Sequence, residues 1–531
     1  MKKTCLMIAI IGVLGTQFAL AETVRGRFPR APHSKAETFT RMFPDLPPFA
    51  AQTDDMRTAA SQLGALGGPL DAGDINQDPF LSLANQAEFS PNNFDNPDMS
   101  AGLTFVGQFL DHDITFDRRS AIAALADPNR TVNFRSAAFD LDQVYGEGPQ
   151  GSPELYDQTG TDIKFIVEAI PGSENVSRGG VTRYDLPRNE LGEATMGDSR
   201  DDENVIVSQF HLAMLKFHNA ITDSIRATAG NEALSAGQVF EMARQQVRWH
   251  YQWIILHEFL PQTIGADRLA QILSTGPRFY QVGTRGQGRN GGRAAEPQLP
   301  MEFSAAAYRF GHSQVRPSYR LNFGADEDSQ FFAFVLNNRI DPNALDPDDL
   351  RGGRRAPRRF VDWQTFFDFG DGEVRNNKLI DTKISTVLFE LPGTVVPAPG
   401  LPSDGVISLA SRNLIRHVNF GLPSGQAIAR EMGFEPLAAT DLIELAPYGM
   451  AESSPLWYYV LKEAEFIEQG RRLGPVGGTI VGEVFVALLQ ADPDSYLSRQ
   501  PDWSPTLPSR QGAGNFTIAD MLSYAGVVSA L

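Results

Sequence analysis

The sequence predicts a mainly α fold: a single large helical domain with very little β-structure. Three observations carry that prediction. Long stretches repeat apolar residues at helical spacing, few segments alternate with period two, and no internal repeat or clear linker divides the chain. Hydrophobic residues make up 42% of the 531, enough for a packed core, while 35 prolines and 48 glycines imply many loops between helices.

The amino terminus reads as a processing signal. Lys2 and Lys3 precede an apolar run from Leu6 to Leu14, and Ala19-Leu20-Ala21 fits the small-x-small cleavage rule. Residues 1–21 are therefore expected to be a signal peptide, and the mature chain to start at Glu22 and be exported, to the periplasm or the medium. The apolar run is short for a membrane span, so none is expected in the mature chain. Cys5, the only cysteine, lies inside that signal. Without it the mature chain has no disulfide, no cysteine metal site and no thiolate nucleophile.

Residues 22–100 are rich in Pro, Asp, Asn and Gly and predict an extended arm packing on the helical domain of residues 101–531. A helix follows over 101–118, then a polar loop over 130–150. Long amphipathic patterns cover 203–227 and 236–260; in the second, Phe240, Met242, Val247, Trp249, Trp253, Ile254, Leu256 and Phe259 recur at helical spacing. Residues 283–296 read as a flexible basic loop. Further helices are predicted over 301–314, 406–417, 424–431, 455–470 and 478–490. The formal net charge of −18 argues against nucleic acid as a partner, because phosphate binding needs a basic surface.

Chemistry concentrates in residues 105–116, Phe-Val-Gly-Gln-Phe-Leu-Asp-His-Asp-Ile-Thr-Phe. On a helix Gln108 and His112 share a face one turn apart, and Asp111 and Asp113 point to either side. Polar groups among so many apolar neighbours are costly unless partnered, and a histidine beside an amide suits proton transfer at neutral pH. A non-haem iron or zinc site built on His112, Asp113 and a distant histidine is a weak alternative, because adjacent side chains diverge on a helix. At 197–204, Gly-Asp-Ser-Arg-Asp-Asp-Glu-Asn reads as a helix start whose acids suit the dipole, with Arg200 and Glu203 on one face. His312 stands in the apolar run Ala-Ala-Ala-Tyr-Arg-Phe-Gly-His. Alone, such a histidine is more often a core residue than a ligand. His211, His218, His250 and His257 sit among apolar helical residues and read as structural.

Together these segments resemble the animal-type haem peroxidases of the peroxidase–cyclooxygenase superfamily, in a bacterial secreted form, over residues 40–500. Gly-Gln-Phe-Leu-Asp-His-Asp resembles the distal motif, Gly-Asp-Ser-Arg-Asp-Asp-Glu the catalytic-arginine motif, and Tyr-Arg-Phe-Gly-His the proximal motif. Residues 140–146 (Asp-Leu-Asp-Gln-Val-Tyr-Gly) resemble the calcium loop, and 413–423 and 455–477 resemble later family blocks.

The resemblance implies haem b and Ca2+ as cofactors, and hydrogen peroxide with a halide, thiocyanate or small phenol as substrates, reacting through a ferryl state. It casts His112 as the acid–base residue, Gln108 as its neighbour that orients water or halide, and Arg200 as the cation that stabilises charge as the O–O bond breaks. It casts His312 as the axial iron ligand, Asn413 as the acceptor for that ligand's second ring nitrogen, and Asp111 and Glu203 as the carboxylates that can form ester links to haem. Asn204 stands where one mammalian branch has a methionine, so a third link is not expected. Asp113, Ser136, the Ala138 carbonyl, Asp140 and Asp142 would bind calcium. Two alternatives accompany the peroxidase reading: a fatty-acid dioxygenase, and a secreted adhesive protein on the same fold. In the cyclooxygenase branch a radical-forming tyrosine stands three residues before the proximal histidine. That position is Arg309 here, and Tyr308 is expected to face elsewhere.

Overall fold

The computed structural model describes residues 37–528 apart from 76–77, 118–119, 123, 283–296, 338–340, 342–343, 354 and 393–404. The expected signal peptide and the basic loop 283–296 lie outside the described residues. Helices dominate, and the described strands form five short two-stranded antiparallel sheets. One continuous apolar core runs from Phe39 to Ala525. No described helix is long and apolar enough to cross a membrane.

The segment expected to be an extended arm departs from that expectation. It contains the helix Asp54–Leu63 (α1) and two shorter helices, Pro79–Ala84 and Gln86–Phe89. Thr53 caps α1 by accepting from the Met56 amide, and Asp54 and Asp55 sit favourably in its first turn. Strand Asp95–Ser100 pairs with Asn376–Lys378 and leads directly into Ala101–Ile114 (α2), where backbone donors of Ala101 and Gly102 reach the Arg375 and Phe366 carbonyls. Gly102 is required there: a Cβ would lie 2.2 Å from the Phe367 ring. Apolar side chains on nearly every face bury α2, which stops at Ile114 rather than 118.

The helix Val205–Ala227 (α3) packs on α2 and on Ala236–Ile254 (α4). Ser235 and Gln238 form a capping box at the start of α4. Beyond Ile254 the helix passes through a π turn, Ile255–Phe259, into Leu260–Ile264. The predicted helix over 301–314 is broken: a short helix Met301–Ser304 precedes a 3-10 segment, Ala307–His312, with Ala306 (φ −132, ψ −80) as the break. Leu409–Phe420 (α5), Leu456–Glu468 (α6) and Pro475–Ala491 (α7) follow the predicted positions within a few residues. The 3-10 segment packs on α2, α6 and α7, and α1 packs on α5, where Ser411 donates to the Ser61 carbonyl at 2.9 Å. The amino-terminal segment thus braces the helix that carries Asn413.

Candidate active site

Between α2, the 3-10 segment and α5 lies a cavity of about 620 Å³, within the size range of small-molecule and cofactor pockets (about 300–1,000 Å³). Its walls are mostly apolar: Leu103, Phe105, Phe259, Phe310, Val335, Leu388 and Leu391 are among them. Gln108, Asp111, His112, Arg200, Glu203, His312 and Asn413 all line it, so four segments far apart in sequence meet on one space.

On the α2 side the turn Ser199–Asp202 holds His112 twice. Arg200 Nη2 donates to the His112 backbone carbonyl at 2.8 Å, and Asp201 Oδ1 lies 2.7 Å from His112 Nδ1. The second Asp201 oxygen lies 2.7 Å from Nδ1 of His211. Burial alone would push the Asp201 carboxyl up, but the two imidazole contacts outweigh it and hold the group below its ordinary value. Arg200 is fixed by Asp198, with Nη2 to Oδ2 at 2.7 Å, and its guanidinium lies 4.2 Å from the centre of the Phe116 ring. Asp198 also accepts from Arg135, and the two guanidiniums hold it far below the carboxylate range against its burial. Gln108 donates to Glu203 at 3.4 Å and accepts from Asn204 at 3.3 Å. Asn204 itself caps α3, accepting from the Val207 amide.

The opposite wall carries His312, open to the cavity on one side and enclosed by protein on the others. That enclosure, with Arg309 nearby, pushes its imidazole down to about 3, so the ring is neutral at physiological pH. Asn413 Nδ2 lies 2.8 Å from His312 Nδ1. The amide's oxygen and nitrogen exchange places by a half-turn about the last side-chain bond, which would let Nδ1–H donate and leave Nε2 as a bare lone pair. Arg309, Arg412 and Arg416 also line the cavity. Arg309 Nη1 reaches to within 3.7 Å of Asp111 Oδ2, while Asp111 Oδ1 is buried with no partner among the described residues. Tyr308 does not face elsewhere, as the sequence reading expected. It lines the cavity, stacks on Phe303 at 4.8 Å and donates its hydroxyl to the Gly107 carbonyl at 3.1 Å.

Behind α2 three carboxylates converge. Oxygens of Asp113, Asp140 and Asp142 lie within 4.8 Å of one another. Tyr251 donates to Asp113 Oδ2 at 3.0 Å, whereas Asp113 Oδ1 is buried without a partner among the described residues. Burial, then the charges of Asp140 and Asp142, push the Asp113 carboxyl well up. Ser136 Oγ lies 3.1 Å from Asp140 Oδ1 and 3.5 Å from Asp142 Oδ2. Leu141 adopts the left-handed conformation (φ 62), a strained turn that aims both acids inward. Ala138 lies between Ser136 and Asp140 in the same loop. Such crowding of hard oxygen donors around an unpartnered carboxylate oxygen suits a calcium-like cation.

The sequence profile of the family described as animal haem peroxidase matches residues 116–444. The chain belongs to the animal haem peroxidase family. The matched span begins just beyond α2, so the roles of Gln108, Asp111, His112 and Asp113 rest on the motif and the geometry. Thyroid peroxidase of Mus musculus is 26% identical over 317 residues, 56% of this chain and 30% of that protein. Peroxinectin A of Dictyostelium discoideum is 22% identical over 317 residues, 58% of this chain and 50% of that one. The chain thus spans half or less of these curated relatives. Among solved structures, peroxidase A from Dictyostelium discoideum superposes with a TM-score of 0.59 at 16% identity, covering 93% of this chain and 94% of that one. The fatty acid alpha-dioxygenase of Oryza sativa gives 0.55 at 15% identity, covering 87% and 76%. These structural likenesses show the helical peroxidase fold.

The residues of this family member fit a haem. The lining is apolar enough for a macrocycle, the neutral His312 imidazole is a suitable iron ligand, and Arg309, Arg412 and Arg416 bring positive charge to the cavity that would suit the carboxylates of haem b. Four contributors are not legible in the sequence. Asp201 looked like a helix-start acid and His211 like a core residue; Arg412 and Arg416 carried no signal beyond lying near Asn413. Only their long-range contacts reveal them. His218 and His250 do behave as buried structural groups, bonded to Tyr145 and to the Gln246 carbonyl.

Proposed function

We propose that this chain is a haem-dependent peroxidase that reduces hydrogen peroxide and oxidises a small donor: a halide, thiocyanate or a phenol. The observation that carries the reading is the meeting of His112, Arg200 and His312 on one cavity. When bound there, haem b supplies the redox centre that accepts oxidising equivalents from peroxide and passes them to the donor.

The chain's own residues do the rest. His312 would hold the iron through Nε2, with Asn413 accepting from Nδ1–H and so strengthening the ligand. His112 Nε2, the ring nitrogen not engaged by Asp201, would take a proton from hydrogen peroxide and return it to the departing oxygen. The Arg200 guanidinium, cationic throughout and held by Asp198, would stabilise negative charge that develops on that oxygen. Gln108 would orient water or a halide beside His112. Arg309, Arg412 and Arg416 would bind the haem carboxylates. Asp111, one of whose oxygens has no partner among the described residues, and Glu203 would supply ester links to haem, and Asn204, which caps α3, would form no third link. Asp113, Asp140, Asp142, Ser136 and the Ala138 carbonyl would bind calcium, tying α2 to the following loop and steadying His112. Export to the periplasm or medium in a bacterial source rests on the amino-terminal sequence.

A second reading has one observation in its favour. Tyr308 lines the cavity, which keeps a tyrosyl-based fatty-acid dioxygenase in play. Among the described residues no comparable feature favours the adhesive alternative. The test is a purified haem-loaded sample given bromide, iodide, thiocyanate and a phenol, each with peroxide. Peroxide-dependent turnover of any donor supports the peroxidase. Oxygen uptake with linoleate and no added peroxide, with no donor turnover, supports the dioxygenase.

A further inference from the structure

We propose that Asp201 is the positioning residue that sets the proton position on His112, holding it as the Nδ1–H tautomer with Nε2 bare toward the cavity. The proposal rests on the peroxidase reading above. Asp201 is fully buried, and each of its carboxylate oxygens lies 2.7 Å from one imidazole nitrogen, Nδ1 of His112 and Nδ1 of His211. A carboxylate can only accept, so both nitrogens carry hydrogen. The two contacts are short enough for hydrogen bonds assisted by charge.

Position adds to the argument. Asp201 follows Arg200 on one 3-10 turn, whose start is fixed by Asp198 accepting from the Arg200 amide at 3.0 Å. That turn grips His112 at two points, the carbonyl through Arg200 and the ring through Asp201. Rotation of the His112 ring would break the Asp201 contact and leave a buried carboxylate oxygen unsatisfied, which is costly. His211, on α3, occupies the other oxygen and keeps the carboxylate from turning. A histidine with its proton on Nε2 could not receive one from peroxide there, so tautomer control governs the peroxide step and not the later donor step.

The test uses haem-loaded wild type, Asp201→Leu, Asp201→Glu and His112→Ala, with haem content and circular dichroism checked for each. Stopped-flow mixing with hydrogen peroxide, followed in the Soret band, is expected to show Asp201→Leu slowed by about 10²-fold, with Asp201→Glu recovering part of the loss and reduction of the peroxide-treated protein by donor unchanged. A variant-free measurement accompanies it: long-range ¹H–¹⁵N spectra of the ferrous carbon monoxide form, expected to show His112 protonated on Nδ1. Asp201→Leu reacting within about threefold of wild type while His112→Ala is slow, or a His112 proton on Nε2, would overturn the proposal and leave the peroxidase reading standing. His112→Ala reacting as fast as wild type would instead sink the peroxidase reading itself.

Discussion

The two faces of the cavity each present one imidazole, and each imidazole has one partner at Nδ1. On the α2 face the partner of His112 is the Asp201 carboxylate; on the opposite face the partner of His312 is the Asn413 amide. The difference is instructive. A carboxylate accepts only, so it fixes one tautomer and stabilises a ring that gains a proton, as an acid–base group must. A neutral amide orients the ring without pulling a proton onto it, which suits a group that keeps its lone pair for a metal. The surroundings differ in the same direction. His112 is held by Arg200 and Asp201 within a network that includes Asp198 and Arg135, whereas burial, with Arg309 nearby, pushes the His312 imidazole down to about 3.

The comparison can be broken at either face. His312→Ala is expected to abolish haem retention, read as loss of the Soret band after gel filtration; normal retention would mean the ligand lies elsewhere. Arg200→Ala is expected to keep haem and slow the peroxide step by about 10²–10³-fold, measured by stopped flow, because a fixed cation at developing charge is worth that much. Calcium chelation tests the cation site proposed behind α2. At calcium a hundredfold above its dissociation constant, chelation is expected to cost about 2.7 kcal/mol of stability in a denaturant titration, and Asp113→Asn is expected to be insensitive to chelator. Asn413→Ala is the mildest change: haem affinity is expected to fall by about 10–100-fold in a haem titration, with the peroxide step less affected than in the Arg200 variant.

Much of this contrast was legible in the chain. The Gln108–His112 spacing on a helix that starts at residue 101, and the apolar runs of α3 to α7, follow from periodicity alone. The short range of such signals explains what was not legible. Asp201 and Asp202 read alike, yet Asp201 turns to two histidines and Asp202 pairs with Arg188. The helix α1 hides among prolines and acids because its amphipathic face is answered by α5, some 350 residues later. Tyr308 was misread because what it faces is set by a long-range contact, its hydroxyl donating to the Gly107 carbonyl of α2, which local spacing does not report.

The most direct test of the account is a crystal structure of the haem-loaded chain with the iron located by anomalous scattering. Iron is expected to be bound through His312 Nε2, with His112 and Arg200 on the opposite face of the macrocycle. Iron ligated by any other side chain, or haem bound outside this cavity, would contradict it.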